Sequence, residues 1–170
     1  MIAAYTAAEV RAAEEPLLAA GPPGALMAQA AFALATEVMR ELRAAGRPIA
    51  GARVLAIVGG GNNGGDALHA AAILARRGAA ATAALLTPEP HAEGAAAAVA
   101  AGVRLVSVTG SPEAGAAAVA DLARPAHVWL DALAGIGVSG GLREPFAGAV
   151  RALADVRRER EQAPLVVAVD

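Results

Sequence analysis

The sequence predicts a three-layer α/β fold, a doubly wound, Rossmann-like parallel sheet with helices on both faces. Short apolar runs alternate with longer helical patterns along the chain, which is typical of parallel strands joined by right-handed crossovers. The first apolar run, Val54–Val58, has the unbroken hydrophobic character of a strand buried on both faces. A glycine-rich segment and then a helical pattern follow it. With 170 residues, the chain is long enough for one domain, residues 1–170, with its own core.

The predicted elements can be placed along the chain. Strands are expected at 53–58, 81–86, 103–107, 127–130 and 165–169. Thr6 and Glu9 have the spacing of a capping box, and the helix they begin is expected to end near Glu15, because Pro16 follows. The helix after the glycine-rich segment is expected to begin after Asp66. The remaining helices are expected at about 25–45, 91–101, 111–123 and 143–161.

Composition excludes several classes of function. The chain is 56% hydrophobic but only 2% aromatic, so alanine-rich helices are expected to pack closely on the sheet. A formal net charge of −2 favours neither nucleic acid nor an anionic membrane. The absence of cysteine excludes disulfides, thiolate catalysis and cysteine–zinc sites. Residues 1–15 lack the pattern of a signal peptide, and no run of about 20 strongly apolar residues is present, so a cytoplasmic protein is expected.

The segment Gly59–Asp66 is the strongest candidate for a ligand site. Its glycines match the string G-x-G-x-x-G, which alone is a weak indication of dinucleotide binding. The acidic residue expected about 20 residues later is missing, and the carboxylate of Asp66 would repel a pyrophosphate. An acid beside two carboxamides suits hydroxyl groups or a cation better. The alternative is a tight turn in which Asp66 only starts the helix.

A second candidate lies at the end of the predicted fourth strand. Asp131 follows the apolar run Val128–Leu130, so its carboxylate is expected at the carboxyl edge of the sheet, on the same side as Asn62–Asp66. Such a carboxylate can act as a general acid or base, or it can simply brace the loop that follows. That loop, Gly135–Gly141, is rich in glycine, so its backbone can approach a ligand closely, or it is only a flexible connection.

These residues together resemble a known family. Val58–Asp66 resembles the signature of the NAD(P)H-hydrate epimerase family, the YjeF N-terminal domain, and so do Leu26-Met27, Asp131–Gly137 and Val167–Asp170 in matching order. The resemblance implies an isomerase that interconverts the R and S epimers of NADHX and NADPHX, the hydrated forms of the reduced cofactors. A ring-opened and an iminium intermediate are both compatible with the sequence.

The resemblance also implies roles for individual residues. It implies a catalytic acid/base at Asp131, and one potassium ion per subunit bound by Asn63 and Asp131, with no redox cofactor. Its substrate-binding residues are Asn62, Asn63, Gly64, Gly65, Asp66, Gly135, Ile136, Gly137, Val138, Ser139, Gly140, Gly141 and Asp170.

Partners are implied as well. The resemblance implies a homodimer to which the two N-terminal helices contribute, and fusion to or pairing with an NAD(P)H-hydrate dehydratase. In the family, the position of Asp170 is followed by a segment whose serine completes the potassium site. The chain is therefore expected to be truncated at its C-terminal end.

Two other functions remain open at this point. Domains of this kind also occur as non-catalytic dimerisation or interaction modules, but the presence of Asn63, Asp66 and Asp131 favours an enzyme. An NAD(P)-dependent oxidoreductase is disfavoured by the missing ribose-binding acid and by the lack of a Tyr/Lys or histidine catalytic set. The string G-x-S-x-G at Gly137–Gly141 lies inside a loop with no histidine after it, so a serine hydrolase is not supported.

Overall fold

The computed structural model describes residues 5–22, 24–135 and 140–169. Within them the helices are α1 (Ala7–Ala20), α2 (Ala25–Ala44), α3 (Gly61–Arg76), α4 (Ala92–Ala100), α5 (Pro112–Ala123) and α6 (Phe146–Glu159). The strands are β1 (Arg53–Val58), β2 (Ala80–Leu85), β3 (Arg104–Ser107), β4 (Val128–Ala132) and β5 (Leu165–Ala168). The predicted alternation of strand and helix is confirmed.

The five strands form one sheet in the order β3-β2-β1-β4-β5. Every neighbouring pair is parallel, which confirms the predicted fold class. The chain first builds the sheet outward from β1 to β3 and then returns to place β4 on the other side of β1. The strand order therefore reverses between β1 and β4, and ligands of open α/β sheets bind at the carboxyl ends of strands at such a point.

Helices cover both faces of the sheet. Buried residues of α2, α3 and α4 share one hydrophobic cluster, and buried residues of α5 and α6 share the other. The side chains of β1 alternate between the clusters: Val54, Ala56 and Val58 belong to the first, and Leu55 and Ile57 to the second. The strand is thus buried on both faces, as its unbroken apolar run predicts.

The core is built with small side chains where α3 meets the sheet. Four alanines of this helix are fully buried, namely Ala67, Ala70, Ala71 and Ala72. Alanine lets a helix axis approach a strand closely, and it is also the best helix former. The expected close helix–sheet contacts are therefore present. No helix among the described residues is long and apolar enough to cross a membrane.

The first helix departs from its predicted length. Its capping box is present: the backbone N–H of Thr6 donates to the Glu9 carboxylate over 2.7 Å, and the Thr6 hydroxyl accepts from the Glu9 backbone over 3.3 Å. The predicted end near Glu15 is wrong, since α1 continues through Pro16 to Ala20. Proline has no N–H group, so Pro16 makes no hydrogen bond to the carbonyl of Ala12. Ala12 is exposed, so water can hydrate this carbonyl instead.

Candidate functional site

The candidate site begins where β1 passes into α3. Gly60 is the N-cap of α3, which starts at Gly61, so Asn62–Asp66 lie in the first two turns of the helix. The prediction that the helix begins after Asp66 is wrong, because glycine and asparagine have low helix propensity and hide the true start. Gly60 provides no side-chain cap. The first backbone N–H groups of α3 therefore lack a capping side chain at the carboxyl edge of the sheet, where such groups bind anions.

Two glycines make the close packing at this edge possible. A Cβ atom on Gly59 would lie 2.2 Å from the carbonyl oxygen of Leu133, and one on Gly64 would lie 2.4 Å from that of Gly59. The Gly59 N–H donates to the carbonyl of Ala132 over 2.9 Å. The end of β1 is therefore held against the end of β4, and α3 is held against the end of β1. Two glycines of the G-x-G-x-x-G string, Gly59 and Gly64, therefore serve packing, whereas Gly61 has a positive φ of 71° and no atom close to its missing Cβ.

A third glycine brings α3 against α4 and α2. A Cβ atom on Gly65 would lie 2.9 Å from Cγ of His91 and 3.0 Å from the terminal methyl of Met27. His91 is the N-cap of α4, and its Nδ1 accepts a hydrogen bond from the Gly94 N–H over 3.1 Å. Since Nδ1 accepts, the ring proton of neutral His91 is on Nε2. Sequence reasoning missed this role of His91, because histidine is not among the usual N-cap residues.

Asn63 and Asp66 carry buried polar atoms without a partner. Among the described residues, Asn63 Nδ2 and Asp66 Oδ1 are the buried side-chain atoms that make no hydrogen bond. Residues three apart on a helix lie on the same face. Leaving a buried polar atom unpaired costs about 1–3 kcal/mol, so two such atoms on one face of a helix indicate a site that a ligand completes.

The environment of Asp66 changes its acidity. Burial raises the pKa of its carboxyl to about 6, a positively charged His91 lowers that pKa, and the negative charge of Glu14 raises it. Glu14 lies on α1, so the N-terminal helix contributes to the electrostatics of the site. His69, one turn after Asp66 on α3, stacks edge-on against His91 with ring centroids 6.2 Å apart, and burial lowers its pKa. The sequence favours a helix-surface or packing role for His69 over a role in the site.

We expect Asp66→Asn to stabilise the protein at neutral pH. The pKa is raised from 3.8 to about 6, so the ionised carboxylate is disfavoured by folding. The neutral carboxylic acid contributes to the free energy of unfolding. This contribution is fully present below pH 3.8 and is lost as the pH rises through about 6. The asparagine variant should therefore be more stable by about 1 kcal/mol above pH 6, after allowance for solvent screening.

Urea unfolding of both proteins between pH 4 and pH 8 measures this difference. The advantage of Asp66→Asn should shrink as the pH falls through about 6. Asp121→Asn is a matched control, since the Asp121 side chain is 76% exposed and pairs with Arg124 on the surface. An advantage that is the same at every pH would contradict the assignment of a raised pKa to Asp66.

Asp131 lies at the same edge of the sheet, as predicted. It is the penultimate residue of β4, level with Ile57 of β1 and Ala168 of β5. Its Oδ1 accepts a hydrogen bond from the Leu133 N–H over 3.3 Å, so the carboxylate does brace the turn that follows. It also faces a cavity of about 260 Å³, whose lining is mostly apolar and consists of Asp131, Leu133, Ala134, Gly135, Leu142, Val150, Ala168 and Val169.

Gly135 connects the two halves of the site. A Cβ atom on Gly135 would lie 3.5 Å from Cβ and 3.7 Å from Oδ1 of Asn63. The loop after β4 therefore contacts the Asn63 side chain, and the same Gly135 lines the cavity at Asp131. The sequence predicts that residues near 62–66 and near 131–135 share one edge, and the structure confirms this.

The remaining predicted residues are placed as follows. Gly140 and Gly141 are exposed ahead of α6, and Gly140 has a positive φ of 85°. Predicted site residues that lie outside the described residues are Ile136, Gly137, Val138, Ser139 and Asp170. Within 5–22, 24–135 and 140–169, no group of three or more His, Cys, Asp or Glu residues could hold a metal ion. A potassium site would have the Asn63 carboxamide and the Asp131 carboxylate as its side-chain oxygen donors, which suit a hard cation.

Comparison with known proteins identifies the family. The family model described as "YjeF-related protein N-terminus" matches residues 23–170. The chain belongs to this family. The match includes the whole sheet, both carboxyl-edge segments and every residue assigned to the site from the sequence.

Individual relatives are similar over most of the chain. The chain is 47% identical over 144 residues to a protein of Mycobacterium tuberculosis named "Bifunctional NAD(P)H-hydrate repair enzyme Nnr", covering 84% of this chain and 28% of that protein. It is 44% identical over 169 residues to an "NAD(P)H-hydrate epimerase" of Microbacterium testaceum, covering 99% of this chain and 59% of that protein. The chain thus spans less than two thirds of the length of either relative.

A solved structure supports the fold. The crystal structure of yeast ynu0 superimposes with a TM-score of 0.77 and 24% sequence identity, over 99% of this chain and 70% of the yeast chain. At that identity, the likeness shows the fold of the YjeF-related domain.

Proposed function

We propose that this YjeF-related domain is an NAD(P)H-hydrate epimerase, which interconverts the R and S epimers of NADHX and NADPHX. The observation that carries the proposal is the pair of buried, unpartnered atoms, Asn63 Nδ2 and Asp66 Oδ1, beside the loop that follows Asp131. The relatives named NAD(P)H-hydrate epimerase and NAD(P)H-hydrate repair enzyme support the same activity.

The reaction suits the groups at this edge. Epimerisation inverts a carbon that carries a hydroxyl group and a ring nitrogen, so one bond at this carbon opens and forms again, and a proton must be moved in each of these two steps. A carboxyl group such as that of Asp131 can give and take this proton. No oxidation state changes, so the reaction requires no redox cofactor.

The other residues of the site would bind the nucleotide. The uncapped N–H groups at the start of α3 suit negatively charged or polar oxygens. The unpartnered atoms of Asn63 and Asp66 suit hydroxyl and amide groups, which can both donate and accept hydrogen bonds. The glycine-rich loop Gly135–Gly141 would bind the phosphates, as the resemblance to the family implies.

The direct test is epimerisation of purified R-NADHX, followed by chromatographic separation of the two epimers. Addition of the protein should bring the mixture to its equilibrium ratio much faster than buffer alone. Parallel measurements with NADPHX would establish the cofactor preference. A protein that is folded by circular dichroism but leaves the rate at the uncatalysed value would refute the proposal.

A potassium ion belongs to the proposal. The Asn63 carboxamide and the Asp131 carboxylate would hold it, and Gly135 lies against the Asn63 side chain, within van der Waals reach of its Oδ1. When bound, the ion would offset negative charge beside the substrate and orient the Asp131 carboxylate.

We expect Asn63→Ala to remove the difference between potassium and sodium in thermal unfolding. A ligand at ten times its Kd stabilises the folded state by about 1.4 kcal/mol, so KCl should raise Tm above the value in NaCl for the unaltered protein. Asn62→Ala is the matched control, because Asn62 is exposed whereas Asn63 is partly buried. If the response to potassium survives in Asn63→Ala, the assignment of Asn63 as a ligand is wrong.

The proposal also covers the partners of the chain and its cellular compartment. We propose a homodimer formed through the N-terminal helices, which is supported by the exposed apolar side chains of Leu17 on α1 and Phe32 on α2, 56% and 57% exposed. Pairing with a dehydratase is supported by relatives named bifunctional that are much longer than this chain. We place the activity in the cytoplasm, with no nucleic acid or membrane as partner.

A further inference from the structure

The amino edge of the sheet, opposite the candidate site, contains a histidine that the proposed reaction does not use. His127 lies directly before β4, and Arg53 is the first residue of β1. Their backbones pair, because the His127 N–H donates to the Arg53 carbonyl over 2.8 Å. The Arg53 N–H donates in turn to Nδ1 of the His127 ring over 3.0 Å. The imidazole therefore helps to join the start of β1 to the start of β4.

The end of α5 is tied to the same place by two arginines. Nε of Arg53 donates to the carbonyl of Pro125, which follows the helix. Nη1 of Arg160 donates over 2.8 Å to the carbonyl of Ala126, the residue before His127. The start of β1, the start of β4 and the end of α5 thus meet around His127, and a change at its ring reaches all three elements.

Positive charge surrounds the His127 ring. The arginines that contribute it are Arg53 on β1, Arg47 after α2 and Arg160 after α6. Burial lowers the pKa of His127 below its ordinary value of 6.5, and these three positive charges lower it further. Arg124, at the end of α5, is paired with the carboxylate of Asp121 on the surface. The charges from the described elements that act on the ring are thus all positive.

We propose that the His127 ring is an acid-sensitive joint, which holds β1 to β4 while it is neutral and releases them when it is protonated. Nδ1 accepts from the Arg53 N–H only while it carries no proton, so the proton of the neutral ring is on Nε2. A protonated ring has an N–H group on both nitrogens, and Nδ1 then turns a donor toward a donor. Its charge is also added beside Nη2 of Arg53, which lies 2.9 Å from Nε2. Acid therefore removes a hydrogen bond and adds repulsion at one point of the fold.

The direction of the pH dependence follows from the lowered pKa of His127. Folding favours the neutral ring, so the joint contributes fully to stability above pH 6.5, and this contribution is lost as the pH falls below that value. The sign is opposite to that of Asp66, whose neutral acid contributes at low pH. Comparison of a His127 variant with the unaltered protein at each pH separates the two effects, because Asp66 is the same in both.

Amide hydrogen exchange at Arg53 measures the joint directly. The protection factor of this N–H should fall as the pH is lowered below 6.5, by up to about tenfold per pH unit, because one proton is bound. In His127→Asn, the asparagine Oδ1 can accept the same hydrogen bond but does not become protonated, so this fall should disappear. His127→Ala should lower the protection factor at every pH, since its methyl group accepts no hydrogen bond.

Nitrogen-15 NMR of the ring gives a second readout on the unaltered protein. The neutral ring should carry its proton on Nε2, and Arg47→Gln should move the titration of His127 to higher pH, because it removes one of the three positive charges. A neutral ring with its proton on Nδ1 would overturn the proposal. An Arg53 protection factor with the same pH dependence in His127→Asn and in the unaltered protein would overturn it as well.

Discussion

Asp131→Asn should lower kcat/KM for NADHX epimerisation by about 10²–10⁴-fold while leaving the fold intact, since a general acid or base typically contributes a factor of this size. The asparagine Oδ1 can still accept the hydrogen bond that Asp131 Oδ1 accepts from the Leu133 N–H. The turn after β4 therefore keeps its brace, while the group that carries the proton and one negative charge at the proposed potassium site are lost. Initial rates from each epimer, together with thermal unfolding, measure both properties.

Asp155→Asn is the control for this substitution. Asp155 lies on the exposed surface of α6, where its carboxylate pairs with Arg158. Its replacement removes the same charge from the chain and should leave kcat/KM within about twofold of the unaltered value. Epimerisation by Asp131→Asn at the unaltered rate would show that another group transfers the proton.

Gly59→Ala should destabilise the domain by about 3 kcal/mol, which corresponds to a fall in Tm of roughly 10 °C for a domain of this size. The added Cβ would lie 2.2 Å from the carbonyl oxygen of Leu133, which is a backbone atom and cannot rotate away. To accommodate it, the ends of β1 and β4 must separate, which breaks the hydrogen bond from the Gly59 N–H to Ala132. Calorimetry and urea unfolding both measure the loss.

Gly60→Ala provides a control at the adjacent residue. A Cβ at Gly60 would meet no heavy atom within 4 Å, and the φ of −87° at this position suits any residue. We expect a change in stability within about 0.5 kcal/mol. Equal stability of the two alanine variants would mean that the ends of β1 and β4 are not held together by Gly59.

The sequence alone was sufficient for the type and order of the elements. The apolar run Val54–Val58 is kept away from water only if both faces of the strand are buried. This requires helices above and below a parallel strand. The same reasoning placed Asn63 and Asp131 at the carboxyl edge of the sheet. Asn63 lies in the segment that follows β1, and Asp131 lies near the end of β4. The residue types at these positions also indicated the chemistry, because carboxylate and carboxamide oxygens bind hard cations and carboxyl groups transfer protons.

Helix boundaries were less predictable where tertiary contacts outweigh local preference. Gly61–Asp66 has poor helix propensity, and yet it is helical because Gly64 and Gly65 allow α3 to pack against β1, His91 and Met27. Pro16 should end a helix by local rules, but its lost hydrogen bond faces water in α1. Local sequence patterns show neither the packing of α3 nor the exposure of α1 to water.

The charge environment of the site was decided by the tertiary structure alone. Sequence spacing showed that Asp66 follows Asn63 by three residues. It did not show that Asn63 Nδ2 and Asp66 Oδ1 would be buried without a hydrogen-bond partner, or that His91 and Glu14 come close from other elements. The pKa of a carboxyl depends on burial and on charges that approach through space. Residues 14, 66 and 91 are far apart along the chain, so only the packing of α1, α3 and α4 brings their charges together.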